Sequence, residues 1–297
     1  MHYLKQFHMD VLQLKSWLMA LLGLGLFGIC TMTLATEKGL FWQLEAPSGS
    51  ISYLFGTIHT DDYRVTDFSQ TTLDALKKVD LFVMETQPNS NPMYFKMATA
   101  SLATMVTEAE MVKIKALTDF HVMHLSQVLR MKPWLLAVVF SQSKPQTPYA
   151  QDNLLMRSAE DFAKPVKGLE TSEEHFGVID GFSLDEQLLI LRTTLQMTDS
   201  EKERDFEKLL AVYETEDSDA LLRLDAEMTG RRLPSALWQR MRVKLLDERN
   251  VLMAERALDL AQQQSVFIAV GAAHLAGDGG LIHAFKKAGY RLSVLKR

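Results

Sequence analysis

Two short stretches of this chain spell nearly the same thing. "YLFGTIHTDD" (53–62) and "IAVGAAHLAG" (268–277) each carry an apolar run into a glycine, with a histidine three positions later, His59 and His274. An imidazole titrates near neutral pH and serves as a metal ligand or a general base. Two glutamates close apolar runs between these stretches: Glu85 in "LFVMET" (81–86) and Glu170 in "PVKGLET" (165–171). Two histidines with carboxylates and no thiolate suit Zn, Mn, Co or Fe(II), with coordination positions left open for water. Water acidified by such an ion is the usual hydrolytic nucleophile. One GxxH spacing carries little weight, since a histidine at a strand end is commonly hydrogen-bonded to a loop carbonyl. Its repetition in the same context points to a site.

Other residues are open to two readings. Asp61 and Asp62 follow His59 closely and either orient its ring or cap a helix in solvent. Arg249 and Asn250 interrupt an otherwise amphipathic helix as "ERN". Arg249 faces a carboxylate or a developing oxyanion there, or belongs to a charged face. His121 and His124 stand three apart on an expected helix and could share a face, without the spacing or the glutamate of HExxH. His175 reads as a loop or helix start and His283 as the outer face of a helix. GxSxG and Walker patterns are absent from the sequence.

These residues need elements to place them. "GLFWQLEA" (39–46) and "SISYLFGTIH" (50–59), parted by Pro47, Ser48 and Gly49, predict a hairpin. Next come a helix over 68–80 with Ser69 at its start and the nearly continuous apolar strand 81–86. Residues 91–163 read as helical, including "EAEMVKIKALTDF" and "HVMHLSQVLRM". Residues 165–171 read as a strand, and 183–262 as mostly helical, the last helix running from about Ser235 to Gln264. The chain closes with a strand (265–274), a helix (279–289) and a strand (290–295). The expected fold is α/β: two pseudo-symmetric βαβ-type halves sharing a central mixed sheet, with large helical insertions. His59, Glu85, Glu170 and His274 then lie at carboxyl ends of strands, where functional loops gather.

The 297 residues are 47% apolar and 23% charged, an ordinary globular balance. The net charge of −5 and the lack of a dense Lys/Arg cluster exclude nucleic acid as an expected partner. Lys5 and Lys15 precede an uncharged run from Trp17 to Ala35. That pattern predicts an exported protein with residues 1–35 as a signal peptide, Thr33 and Ala35 supplying the small residues at its end, or as an uncleaved membrane anchor. The single cysteine, Cys30, lies inside this segment after Ile29, a poor lipobox residue. The domain expected at 36–297 therefore has no disulfide, thiolate metal site or cysteine nucleophile.

"YLFGTIH", "LFVMET", "KPVKGLET", "DERNVLMAERA" and "FIAVGAAHLAGDGGLIHAFKKAGYRLSVL" together resemble the TraB/GumN family, related to the Tiki membrane proteases of animals. The resemblance runs from about Phe41 to Leu295. It implies a fold similar to the erythromycin-esterase and ChaN-like group, with the GxxH motifs and an acidic residue as the active site. It also implies a Mn- or Co-dependent metalloprotease resembling relatives that clip the amino-terminal region of a secreted signal protein. By position the residues are His59, Glu85 and His274, with Glu170, Arg249 and Asn250 as further motif positions. The expectation is an exported metal-dependent hydrolase, most simply a peptidase. In it His59, His274, Glu85 and Glu170 bind Mn, Co or Zn, and Glu85 and Arg249 act in catalysis on a peptide or protein. The alternative is a non-catalytic envelope protein holding a peptide, haem-like ligand or metal in the same cleft, or a scaffold whose 91–163 insertion contacts partners.

Overall fold

Alternating aromatic and aliphatic residues build one six-stranded sheet. A computed structural model describes residues 38–297 apart from Ser90 and Gln146, so the expected leader, 1–35, lies outside the described residues. The strands are β1 (Phe41–Glu45), β2 (Ile51–Thr57), β3 (Leu81–Thr86), β4 (Val166–Glu170), β5 (Val266–Gly271) and β6 (Arg291–Val294). Their order across the sheet is β4-β3-β5-β2-β1-β6. β1 forms the expected hairpin with β2 and also pairs antiparallel with β6. β2, β5, β3 and β4 are mutually parallel, with Thr57 opposite Gly271 and Thr86 opposite Glu170. Four strand ends therefore open on one edge, and the α/β class with a mixed sheet is as the sequence predicts.

Each strand sends alternate side chains to opposite faces. Leu54, Val83, Ile268 and Val270 pack on one face with Tyr213, Met253, Ala257 and Phe285. Phe55, Phe82, Phe267 and Ala269 pack on the other with Leu76 and Leu155. Phe267 is the hub of the second face, with the rings of Phe41, Tyr53, Phe55 and Phe82 all about it at centroid distances of 5.8–6.2 Å. The helix after β2 (Gln70–Lys78) covers one face and the helix after β5 (Leu281–Lys287) covers the other. From these adjacent strands the chain thus departs in opposite directions. Such a switch point leaves a crevice at the carboxyl ends of the strands, where ligands of open α/β sheets bind. The two departures differ in reach: β2 to β3 passes one strand, β5 to β6 passes two.

The helical insertions form cores of their own. Ile114, Leu136, Phe140 and Leu191 centre one, and Phe182, Leu237 and Met241 another. Two expectations need correction here. The periodic stretch 121–131 is not one helix. His121 ends the helix Glu108–Phe120, Val122 turns with φ of 55°, and His124 starts a short helix, Leu125–Val128. His121 and His124 therefore share no helical face. The long helix expected over 235–264 is broken into Ser235–Arg242, a π-helical turn Val243–Asp247, and Glu248–Gln263. A π-turn inserts a residue and re-aims the helix beyond it, often at functional sites. His283 is exposed on its helix as expected.

Candidate active site

The first GxxH turn is held from below by a buried polar network. The helix Gln151–Asp161 points its N-terminus at this turn, and the Gln151 N–H donates to the Thr60 carbonyl at 3.0 Å. The Gln151 side chain accepts from the Ile58 N–H at 3.0 Å through Oε1 and donates to the Val65 carbonyl through Nε2. The Tyr213 hydroxyl lies 2.7 Å from the Gly56 carbonyl and 2.9 Å from Gln151 Oε1, one proton serving two acceptors. One residue on, Asp152 takes the His59 Nδ1–H at 2.7 Å. The Asp152 carboxylate raises the His59 imidazole to about 9, against burial by the surrounding walls. The side chain is nevertheless 70% open to solvent, so water screens the pair on one side. With Nδ1 tied to Asp152, Nε2 is the atom left for a proton or a metal.

The second GxxH turn is built against the first. After β5 the chain enters a single 3₁₀ turn, Ala272–His274, and buries the His274 ring. His274 Nδ1–H donates to Asn250 Oδ1 at 2.6 Å, which leaves its Nε2 as the acceptor. Burial lowers His274 to about 4, so it is neutral at pH 7. Its Nε2 lies 3.7 Å from Glu85 Oε1. That same carboxylate oxygen accepts the Gly271 N–H at 2.6 Å. A β-carbon on Gly271 would lie 3.1 Å from Glu85 Oε1, 3.6 Å from the His274 ring and 3.9 Å from His59 Nε2. Gly271 is therefore the point around which the three expected groups converge. Gly56 plays the reciprocal part, because a β-carbon there would press the Ala272 backbone at 3.2 Å and Leu275 at 3.0 Å.

Arg249 leaves the π-turn and reaches across the strand ends. Its Nη2 donates to Glu85 Oε2 at 2.6 Å and Glu170 Oε2 at 2.8 Å, and its Nε donates to both Glu170 oxygens. Nη1 caps the Leu245 carbonyl at 3.1 Å and lies 3.4 Å from His274 Nε2. His175 Nδ1 is 3.1 Å from both Glu170 Oε2 and Arg249 Nη2, so it donates to the first or accepts from the second according to its tautomer. Two turns along the helix, Arg256 holds the Leu169 carbonyl and Glu174, fixing the end of β4. For Glu85 burial is the largest influence and pushes the carboxyl up, but the charged groups and the Gly271 N–H together hold it far below the usual range. Since His274 is neutral at pH 7, Arg249 and, behind it, the protonated His59 are the cations that keep Glu85 ionised. Glu170, 1% exposed in its side chain, is likewise raised by burial and lowered further by His175 and Arg249. Burial opposes the Arg249 charge, and Glu170 and Glu85 outweigh it.

One group of ligand atoms among the described residues is close enough to hold a divalent ion, and it is not the expected set of His59, His274 and Glu85. Among the described residues, Glu85, Glu170 and His175 bring ligand atoms within 4.8 Å of one another. Arg249 Nη2 already stands in that group at 2.6, 2.8 and 3.1 Å, where an ion would sit. Beside it, His59 and His274 border Gly271 with Glu85, and both imidazoles are oriented through Nδ1 by an oxygen acceptor, the arrangement usual for metal-bound imidazole. The two glutamates and Arg249 leave one negative charge, which favours a further cation. A cavity of about 340 Å³ opens onto His59 and Glu85, though not onto His274, and is lined also by Gln87, Lys144, Asp152 and His175 among others. A larger one, about 1130 Å³, reaches Glu170 and Arg249 from the other side.

Every site residue expected from sequence is thus near this edge, but with divided roles. His274, Glu85, Glu170, Arg249 and Asn250 form one hydrogen-bonded cluster; His59 stands next to it, tied to Asp152. Glu170 faces Arg249 and His175. Asp61 and Asp62 do not orient His59: Asp61 binds Lys144 and Thr147, and Asp62 caps the helix Tyr63–Thr66 and pairs with Arg64. Asp152, Gln151, Tyr213 and Arg256 escaped the sequence reading, and His175 was expected only as a loop or helix start. Asp152 had one signal, a carboxylate in the first turn of a helix, shared by many surface helices. His175 sits inside the helix Ser172–Asp180, directly after the strand that ends in Glu170.

The model of the TraB/PrgY/gumN family matches residues 40–294. No curated protein matches the chain.

Proposed function

The chain belongs to the TraB/PrgY/gumN family, and from that premise we propose that it is an exported metal-dependent hydrolase, acting on peptide bonds. One observation carries the proposal. Two imidazoles on adjacent parallel strands are each anchored through Nδ1, to Asp152 and Asn250, and flank Glu85 around Gly271. His59, His274 and Glu85 are the residues that would hold Mn, Co or Zn. Such an ion supplies Lewis acidity for hydrolysis. The chain's own groups do the rest. Glu85 Oε1 accepts a proton or a ligand beside His274 Nε2, while its Oε2 stays fixed by Arg249. Arg249, its N–H groups engaged by Glu85, Glu170 and the Leu245 carbonyl, stabilises charge developing on a substrate oxygen through its positive charge, and Glu170, which was expected as a further ligand, serves here as the anchor of the guanidinium. With its Nδ1 held by Asp152, His59 would offer Nε2 to the ion, which must displace the proton that Asp152 favours there. A peptide chain enters by the 340 Å³ cavity. Residues 1–35 act as the leader or anchor that exports the domain to the periplasm or beyond; among the described residues no helix is long and apolar enough to cross a membrane. The kinship of the two GxxH halves with each other and with the ChaN-like group is part of the same proposal.

The experiment is metal titration by calorimetry together with cleavage of a peptide library in Mn, Co or Zn, on the wild-type chain and on His274→Ala. Metal-dependent cleavage lost in the variant supports the reading; cleavage equal in both ends it. A second reading, binding without turnover, is favoured by Arg249 Nη2 standing between Glu85, Glu170 and His175, which ties both acids to structural work. It predicts metal or peptide binding that depends on His274 with no cleavage under any ion.

A further inference from the structure

A second cleft, of about 380 Å³, opens among the inserted helices and shares Gln142 with the strand-end cavity. Its walls are mostly apolar, with Trp134, Ile190, Met197, Phe206, Leu209 and Met241 among them. One cation in that wall stands out. Lys202 is 3% exposed, yet no carboxylate or carbonyl among the described residues lies within hydrogen-bonding or ion-pairing distance of its ammonium. Three costs meet at this position. Burial penalises the charge and lowers the Lys202 pKa. The long side chain cannot snorkel, because almost none of it reaches the surface. It also sits in the first turn of the helix Asp199–Glu214, just after the Thr198–Glu201 capping box, where the helix dipole opposes a cation. A methionine or leucine would fill the same space without these costs.

The rest of the wall deepens the asymmetry. Trp134 is buried, and its indole N–H has no acceptor. The other charges in the cleft are Asp205 and Arg232, and they pair with each other. Lys202 is therefore the charge in this wall with no ion-pair partner among the described residues, Asp199 alone favouring it from farther off, and the unpaired polar groups named here are donors. An apolar cleft with one buried cation and a spare N–H donor is complementary to an apolar chain ending in a carboxylate. Its size is within the usual range of small-molecule sites.

We propose that this cleft binds an amphiphilic carboxylate of the fatty-acid class, its chain among the apolar walls and its head on Lys202. The site is independent of the strand-end cluster and of the hydrolase reading.

The test uses the full chain in EDTA, so the result owes nothing to metal or turnover. Decanoate, decanol and decyltrimethylammonium are titrated by calorimetry into wild type, Lys202→Met and Lys202→Gln. The expected result is one decanoate per chain on wild type, at least tenfold weaker binding in both variants, and no such loss for decanol. The variants should be folded by circular dichroism, with Lys202→Met at least as heat-stable as wild type. Two variants of different polarity guard against one failing to fold. No saturable decanoate binding at millimolar concentration overturns the proposal. So does equal affinity in the folded variants, or a preference for the cationic amphiphile.

Discussion

Arg249 is the residue whose removal tests the most of this architecture. Its guanidinium bridges two carboxylates at the strand ends, and its Nη2 sits 2.6 and 2.8 Å from Glu85 and Glu170. Arg249→Ala leaves both acids without their cation. Breaking a buried pair in this way costs about 3–5 kcal/mol, since an uncompensated charge stays behind. The variant also empties the space within a ready group of ligands, Glu85, Glu170 and His175, whose donor atoms lie within 4.8 Å of one another. A divalent ion should then take the place of the guanidinium. At a free concentration a hundredfold above its Kd, it returns about 2.7 kcal/mol by mass action. The assay is urea unfolding followed by circular dichroism, in EDTA and then with increasing Mn or Zn. It is run in a His274→Ala background, so that ions bound by the neighbouring histidine set do not contribute. The expected pattern is a loss of about 3–5 kcal/mol in EDTA, most of it recovered by metal in Arg249→Ala, and little metal response when Arg249 is present. A loss below about 1 kcal/mol, the scale of a surface pair, would mean that the three side chains are not mutually dependent. A full loss without metal rescue would mean that the ligand group does not survive the guanidinium.

Other consequences rest on single contacts. Asp152→Asn removes the carboxylate that raises His59 to about 9, so the His59 pKa, followed by NMR titration of its ring, should fall toward the ordinary 6.5; an unchanged value would show that Asp152 does not set it. Gly56→Ala drives a methyl against the Ala272 backbone and Leu275, and overpacking of that kind costs about 1–3 kcal/mol; the His274 ring resonances should move as well, and a silent His274 would uncouple the two turns. His121 is buried against Phe140 with neither ring nitrogen hydrogen-bonded, so His121→Phe should stabilise the chain by about 1–3 kcal/mol in urea unfolding at pH 7. The pH dependence has a definite sign there. Burial, aided by Lys202, lowers the His121 pKa below 6.5. Both states are neutral above pH 6.5; below it the unfolded chain binds the proton more readily, and stability falls as pH falls. His121→Phe should flatten that slope between pH 7 and 5, and parallel slopes in the two chains would refute the assignment.

The sheet was legible because its strands announce themselves in two ways. The apolar runs at 81–86 and 266–271 are buried on both faces, and continuous hydrophobicity is what such strands require. Glycine and proline punctuate the hairpin at 47–49. The chemistry at the strand ends was legible for a related reason: a polar residue closing an apolar run has few places to be. The failures share a cause too. "HVMHLSQVLRM" has the apolar spacing of a helix, but Val122 takes a left-handed conformation and Met131 pairs with Lys96 instead. Long-range packing decides such stretches, and periodicity cannot report it. The π-turn at 243–247 leaves the helical period nearly intact, so the sequence reads straight through it. Asp152 and His175 reach the site only because a helix N-terminus docks on the first GxxH turn and another helix follows β4, contacts spanning 93 and 74 residues to His59 and Arg249.

The repeated GxxH has a structural meaning beyond supplying two imidazoles. Gly56 and Gly271 are not interchangeable copies. They are offset by one position across the β2–β5 pairing, with Thr57 opposite Gly271 and Gly56 opposite Val270. The offset puts Gly56 under the Ala272–His274 turn and puts Gly271 under the Glu85 carboxylate. One glycine thus lets the second histidine turn lie down on the first strand. The other lets an acid from a third strand approach the backbone closely enough to accept its N–H at 2.6 Å. A side chain at either place would separate groups that the rest of the fold brings together. The acid is then fixed on both oxygens, by Gly271 and by Arg249, and His274 is fixed by Asn250 from the same helix as Arg249. His59 alone keeps an open face, with Asp152 behind it and solvent before it. The cluster is therefore fixed on the Glu85–His274 side and accessible on the His59 side, and a ligand arriving from the 340 Å³ cavity meets the solvent-open imidazole first and the fixed acid second.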